Sequence, residues 1–258
     1  MRVLVLILAL LAVAGPAASA PAPAEPEACV RRSFEGSRFT ACLYTPGRDR
    51  IALAWRGRRA PLGSLGALRA FLGREARQVR FAMNAGMYDP EQAPLGLFVA
   101  DGRTVRAART ESGTGNFYLK PNGIFFVDDQ GGAAVAETGA FLASGRRPIW
   151  ATQSGPLLVS GGVLHPAILP NGESRLIRNG VGVTAEGRAW FAISDDPVSF
   201  GRFARFFRDG LGTPDALYLD GTVSSAWIPA HGRLDGRGGL GPLVVVSRSS
   251  SGPGGSGR

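Results

Sequence analysis

The sequence predicts an α+β fold: a single domain with a strongly twisted, mixed but largely antiparallel sheet and a few flanking helices. Three observations lead there. Short apolar runs separated by Gly-containing turns recur through the middle of the chain, which is hairpin spacing. Only two stretches carry helical periodicity behind a capping serine. The hairpins are also too dense for a doubly wound parallel sheet, whose strands need long crossovers between them.

Taken in order, the chain opens on Met1-Arg2, an apolar run from Val3 to Ala14, and small residues from Ala17 to Ala20. This is the pattern of a secretory signal, too short to span a bilayer, with cleavage expected between Ala20 and Ala24. Residues 1–24 are therefore read as signal, 25–247 as the folded domain, and the Gly/Ser-rich 248–258 as a tail without a means of packing. The two cysteines, Cys29 and Cys42, fit one disulfide in an oxidising compartment. Closing so short a loop is worth about 3 kcal/mol in the chain-entropy model. The expected location is periplasmic or secreted.

Ser64 can cap a helix with Leu65, Leu68, Phe71 and Leu72 inward. It leads to a strand, Val79 to Met83, that ends in Asn84-Ala85-Gly86-Met87-Tyr88. Hairpin signals follow at Asp101-Gly102 after Leu97–Val99, at Asn122-Gly123 before Ile124–Val127, at Gly161-Gly162 after Leu157–Val159, and at Glu186-Gly187 before Arg188–Ile193. Ser199 can cap a second helix with Phe200, Phe203, Ala204 and Phe207 inward, Arg202, Arg205 and Arg208 outward, and Gly210 as the stop. The Phe stripe reads as core packing. That helix leads to the apolar strand Ala216–Leu219, which ends on Asp220-Gly221-Thr222.

The net charge is +9, from 29 basic and 20 acidic residues. Nucleic acid is nevertheless not the expected partner, because the arginines are scattered and not interleaved with aromatics. A serine hydrolase is disfavoured too: Gly-x-Ser-x-Gly is absent, and His165 and His231 read as loop or hydrogen-bonded residues. No recognised metal spacing is present and the residues single out no cofactor, although strand-end carboxylates such as Asp195 and Asp220 could hold Ca2+ or Mg2+.

Polar residues interrupt apolar strands at five places. Asn84 and Asp220 both emerge at strand ends, where α/β proteins build sites. Gln153-Ser154-Gly155-Pro156 puts amide and hydroxyl groups on a constrained turn, for which a β-bulge with satisfied polar groups is the plainer reading. Arg178 stands between Ile177 and Asn179-Gly180, so its guanidinium should be partly buried and need an anion, either a protein carboxylate or a phosphate. Asp195-Asp196 close a strand and could serve as charges ahead of the second helix.

Asn84-Ala85-Gly86-Met87-Tyr88, Gln153-Ser154-Gly155-Pro156, Arg178 to Val183, the Phe-rich helix and Leu219-Asp220-Gly221-Thr222-Val223-Ser224 fall in the order of the phosphodiester glycosidase family. The stretches FAMNAGMY, NFYLKPNG, ATQSGP, RNGVGV and LDGTVSS are closest to its exported bacterial branch, and the resemblance runs from about Phe81 to Trp227. The animal branch carries Leu-Asp-Gly-Gly-Gly-Ser where this chain has Leu219 to Ser224, so the animal substrate is not carried over.

The resemblance implies hydrolysis of a sugar-1-phosphodiester. Arg178 would clamp phosphate, and Asp220 would act at the anomeric carbon as nucleophile or base. Asn84, Gln153, Ser154, Thr222 and Ser224 would hold hydroxyls and phosphate oxygens, Gly86 and Gly221 would allow close approach, and Asp195 would be a second carboxylate. Two other readings share these residues: an exported, non-catalytic binding protein for envelope polysaccharide or phosphorylated glycan, and a purely structural Arg178–Asp220 ion pair. Oligomeric state is not legible in the sequence, and no stable membrane insertion is expected after signal removal.

Overall fold

The computed structural model describes residues 27–249. The expected signal and residues 250–258 of the expected tail lie outside them. Three antiparallel sheets form instead of one mixed sheet. The first, in spatial order, is Cys29–Phe34, Ser37–Tyr44, Ala189–Ser194, Asn179–Val183, Asp215–Asp220, Leu157–Ser160 and Val163–Leu164. The second is Arg233–Leu234, Ala226–Ile228, Val79–Asn84, Leu243–Arg248 and Asp49–Ala54. The third is Arg103–Arg106, Phe98–Ala100, Trp150–Ser154, Gly123–Val127 and Ala133–Glu137. Among the described residues every strand pairing is antiparallel. Parallel neighbours need crossovers of a dozen or more residues, and this chain spends its connections on tight turns.

One core holds the three sheets together. Phe191, Val181 and Leu217 from the first meet Phe81, Met83 and Val244 from the second and Phe98, Phe125 and Val127 from the third. Each outer face is covered by a helix. Phe203, Phe206 and Phe207 pack on Phe39, Ala192 and Tyr218 of the first sheet, Leu65 and Leu68 on Ala82 and Val245 of the second, and Phe141 on Ile124 and Phe126 of the third. The architecture is thus strand-dominated, with helices as lids on sheet faces.

Both expected helices form. Ser64 caps Leu65–Leu72 by accepting from the Ala67 N–H at 3.1 Å, and Ser199 caps Phe200–Arg205 by accepting from the Arg202 N–H at 3.2 Å. Each cap is worth about 1 kcal/mol. The second helix continues as a wider turn to Gly210, the expected stop. Phe71 departs from expectation: it is 51% exposed, because an eight-residue helix buries only the stripe that carries Leu65 and Leu68. The short helix Thr138–Ala143, capped by Glu137, carries no sequence signal strong enough to predict it.

Three of the expected hairpin turns join paired strands, at Asp101-Gly102, Gly161-Gly162 and Glu186-Gly187. Asn122-Gly123 is not a hairpin turn: Gly123 already lies in the strand Gly123–Val127, which turns back through residues 128–132 to pair with Ala133–Glu137. A further hairpin joins Cys29–Phe34 to Ser37–Tyr44 through Glu35 and Gly36, both at positive φ, as a two-residue turn requires. It places Cys29 directly opposite Cys42, and the two are joined by a disulfide. The strand Leu243–Arg248 runs one residue into the expected tail, since Arg248 pairs with Asp49. Among the described residues no helix is long and apolar enough to cross a membrane.

His165 is 4% exposed, and burial holds its imidazole below the ordinary value of 6.5, against the opposing pull of the Lys120 backbone. The unfolded chain therefore takes up a proton there before the folded chain does, so the His165 contribution to stability is complete above the unfolded value and shrinks as pH falls through it. The melting temperature is expected to be lower near pH ~5.5 than near pH ~7.5, with a smaller difference in His165→Gln. An equal difference in that variant would show that other groups carry it.

Candidate active site

The ends of three strands from two sheets converge at Asp220. The strand Asp215–Asp220 pairs with Asn179–Val183 so that Gly180 opposes Tyr218 but Asn179 opposes Asp220. Leu219 is the extra residue of a β-bulge, the device that re-aims a side chain at the end of a ladder. Asp220 is thereby turned toward the second sheet, where its Oδ2 accepts from Asn84 Nδ2 at 2.7 Å. Its Oδ1 accepts from the backbone N–H groups of Gly221, Thr222 (2.7 Å) and Val223 (3.4 Å).

The surrounding polar groups are cross-braced. Asn84 Oδ1 accepts from the Ser225 N–H at 2.9 Å, and the Asn84 carbonyl accepts from Asn179 Nδ2 at 2.6 Å. Ser224 Oγ lies 3.0 Å from the Asp220 carbonyl and 3.2 Å from Asn179 Oδ1. Asn84, Asn179, Ser224 and Ser225 are all buried, so these bonds satisfy groups that water does not reach.

Arg178 lies on the other side of the Asp220 strand and has no exposed surface. Its Nε donates to the Val198 carbonyl, Nη2 to the Ser174 carbonyl and Oγ, and Nη1 to Tyr218 Oη at 3.1 Å. Its guanidinium stacks 3.8 Å above the Phe200 ring. Every one of these partners is neutral. The structural ion pair with Asp220 is therefore ruled out: the bulge turns Asp220 to the Asn84 side, while Arg178 is held among Phe200, Tyr218 and Ser174. Burial pulls the Arg178 guanidinium below its usual value, with the Tyr218 hydroxyl opposing, and burial pushes the Tyr218 phenol up.

Gly221 is what allows this packing. A Cβ there would overlap Tyr218 Oη and stand 3.2 Å from Arg178 Nη1. Gly221→Ala is expected to displace Tyr218 and to lower stability by about 1–3 kcal/mol, read by chemical denaturation. A variant as stable as the wild type would mean that Tyr218 moves freely.

Tyr218, Asp220, Gly221 and Thr222 form one wall of a cleft of about 300 Å³, faced by Tyr88, Asn116 and Tyr118. Asp220 is the only carboxylate among the residues lining it. Burial and the Asp220 charge push the Tyr88 hydroxyl up to about 12, so it enters the cleft as a neutral donor.

The remaining expected residues support the cleft from behind. Gln153 accepts from the Leu97 and Arg109 N–H groups and donates to the Arg109 carbonyl. Arg109 in turn reaches Tyr118 Oη at 2.9 Å. Ser154 is fully buried, its Oγ 3.4 Å from the Leu219 carbonyl. A Cβ on Gly86 would overlap Thr152 Oγ1, so this glycine lets the Asn84–Tyr88 segment lie against the third sheet.

Asp195 lines a separate cavity, where its carboxylate accepts from Arg233 Nη1 and Thr40 Oγ1, both at 2.8 Å. Asp195 and Asp220 thus line different cavities, and among the described residues no group of three or more His, Cys, Asp or Glu side chains that could hold a metal comes together. Asn179, Tyr88, Tyr118 and Tyr218 belong to the site without having been singled out. Three of them sit inside or beside the quoted motifs, and Tyr218 stands two residues before Asp220.

A family model described as phosphodiester glycosidase matches residues 77–239. The uncharacterized protein YigE of Escherichia coli (strain K12) is 38% identical over 193 residues, 73% of this chain and 74% of that protein. Among solved structures, the catalytic domain of zebrafish N-acetylglucosamine-1-phosphodiester alpha-N-acetylglucosaminidase, auto-inhibited by its pro-peptide, is similar with a TM-score of 0.58 at 14% identity, covering 86% of this chain and 81% of that one. A putative exported protein from Burkholderia pseudomallei gives a TM-score of 0.52 at 15% identity, over 82% of this chain and 74% of that one. At these identities the two structures bear on the fold alone.

Proposed function

The chain belongs to the phosphodiester glycosidase family, and from that premise we propose that it is an exported hydrolase that cleaves the glycosidic bond of a sugar-1-phosphodiester. The observation that carries this reading is a cleft with one carboxylate, Asp220, among its lining residues, backed by a buried guanidinium that no carboxylate among the described residues neutralises. Ordinary glycoside hydrolysis uses two carboxylates, one of them an acid for the leaving oxygen. A phosphate monoester leaves without that acid, so a single carboxylate suffices.

Asp220 acts through Oδ2 at the anomeric carbon, either by attacking it to form a glycosyl ester that water then hydrolyses, freeing the sugar and the carboxylate, or by taking the proton of the attacking water. The bond from that carbon to the phosphate oxygen breaks, and the electron pair leaves with the phosphate. Arg178 serves the phosphate through Tyr218: Tyr218 Oη accepts from Nη1, which leaves the phenol proton free for a phosphate oxygen. Positive charge fixed in a dry wall stabilises the departing anion more than the same charge in water would. Asn84 and the Gly221–Val223 N–H groups hold the Asp220 carboxylate still, and Thr222 and Tyr88 face the substrate. The disulfide supports export, since such bonds persist in oxidising compartments.

The second reading, a non-catalytic exported binding protein for envelope polysaccharide or phosphorylated glycan, is favoured by one feature. Asp220 already accepts four hydrogen bonds from the protein. The deciding experiment is release of free sugar from a panel of sugar-1-phosphodiesters by purified mature protein. Release establishes the hydrolase. A folded protein that cleaves none of them, yet gains melting temperature with phosphorylated glycan, is the binding protein.

A further inference from the structure

The cavity that Asp195 lines, of about 570 Å³, lies on the same rim as Asp220, and strand register fixes its position. Arg31 pairs with Thr40, Thr40 with Ile193, Ile193 with Asn179 and Asn179 with Asp220, in one row across five strands. The preceding row on that face, Cys29, Cys42, Phe191, Val181 and Leu217, lies in the shared core. Ile193 in the middle of the Arg31 row still packs in that core, while Arg31 at one end is exposed and Asp220 at the other is half-buried; Arg31 stands four strand spacings from Asp220, ~19 Å. The Ala226 N–H donates to Asp235, which lines the cavity, and the adjacent Ser225 N–H donates to Asn84, which holds Asp220.

The charges in this groove are unequal. Its carboxylates are already taken, Asp195 and Asp235 by Arg233, and the neighbouring Asp196 by Arg38. Arg31 and Arg32 are exposed, and among the described residues neither guanidinium has a hydrogen-bond or ion-pair partner. Arg237, toward the cleft, reaches only the Thr222 carbonyl at 3.4 Å. Guanidinium groups held apart from carboxylates along a groove are suited to phosphate oxygens, which they grip in bidentate fashion. Strand Cys29–Phe34, which carries Arg31 and Arg32, is the edge of its sheet, so nothing in the sheet closes the groove at that end.

Building on the hydrolase reading, we infer that this groove holds a second phosphate of the same glycan, and that the substrate is a polyanionic chain of sugar-phosphate repeats. A chain that enters over the edge strand sets one phosphate against Arg31 and Arg32 and another at Asp220.

The test compares a linear polysaccharide of N-acetylhexosamine-1-phosphate repeats with its single-repeat diester, each titrated onto the full mature protein and expressed per repeat. The polymer is expected to bind about tenfold tighter or more at low salt, an advantage that falls steeply as salt rises. Arg31→Glu with Arg32→Glu should abolish that advantage, and Arg31→Gln with Arg32→Gln should reduce it, each at an unchanged melting temperature. Equal affinities per repeat, or an advantage that survives in both variants, overturns the groove assignment. A protein that cleaves single-repeat diesters without preferring the polymer keeps the hydrolase and loses the groove. One that prefers the polymer through Arg31 and Arg32 but cleaves nothing keeps the groove and loses the hydrolase.

Discussion

Asp220→Asn is expected to lower kcat/KM for a cleaved sugar-1-phosphodiester by ~10³-fold or more, about 4 kcal/mol of transition-state stabilisation. An amide neither attacks the anomeric carbon nor takes a proton from water. The fold should survive at a modest cost. The amide oxygen can still accept the Gly221, Thr222 and Val223 N–H groups, but its nitrogen then faces Asn84 Nδ2, donor against donor. Asn84 has no freedom to turn over, since its Oδ1 holds the Ser225 N–H. One such mismatch costs about 1–2 kcal/mol. Turnover by this variant within tenfold of the wild type would remove Asp220 from the chemistry, and a melting curve measured on the same sample separates lost activity from lost folding.

Arg178→Met is the second large effect. Methionine keeps most of the volume but removes the charge and the donors to Val198, Ser174 and Tyr218. Two opposing terms meet in stability. The acceptors lose their partners, while an unneutralised charge leaves a dry site, a change that often stabilises. The net change should stay within about 3 kcal/mol. Activity should nevertheless fall ~10²- to 10³-fold, because the field behind Tyr218 disappears. Arg178→Lys should recover little, since one ammonium does not span acceptors that a planar fork reaches on three sides. The loss should fall in kcat more than in KM, as for a group that acts on developing charge. A loss confined to KM would make Arg178 a ground-state binding residue, and wild-type turnover in Arg178→Met would end its assignment.

Much of this site is legible in the sequence, because its signals are local. An apolar strand that stops on a polar residue announces Asp220 and Asn84 as strand-end groups. An arginine inside an apolar run announces a buried guanidinium, and Arg178 is indeed fully buried. The capping serines and hairpin glycines mark their elements for the same reason, since their hydrogen bonds and dihedral demands lie within a few residues. Other polar residues of these strands already have protein partners. Gln153 and Ser154 look like site residues because they are polar in an apolar strand, but that polarity is used to hold the loop of Leu97 and Arg109 and to meet Leu219. Asp195 looks like a second carboxylate because it also closes a strand, yet it faces Arg233 across a different cavity.

The sequence by itself determined the hairpin-rich class, the capped helices, the cysteine pair, and which polar residues would stand at strand ends or inside apolar strands. The tertiary structure alone decided that there are three sheets, that Asn84 from one meets Asp220 from another across 136 residues of chain, and that a bulge turns Asp220 away from Arg178. Turns, caps and alternation are short-range demands that each residue meets with its near neighbours. Which strand ends lie side by side is settled only when distant strands bury their apolar faces in one core, and the charges take their partners from whatever that packing brings within reach.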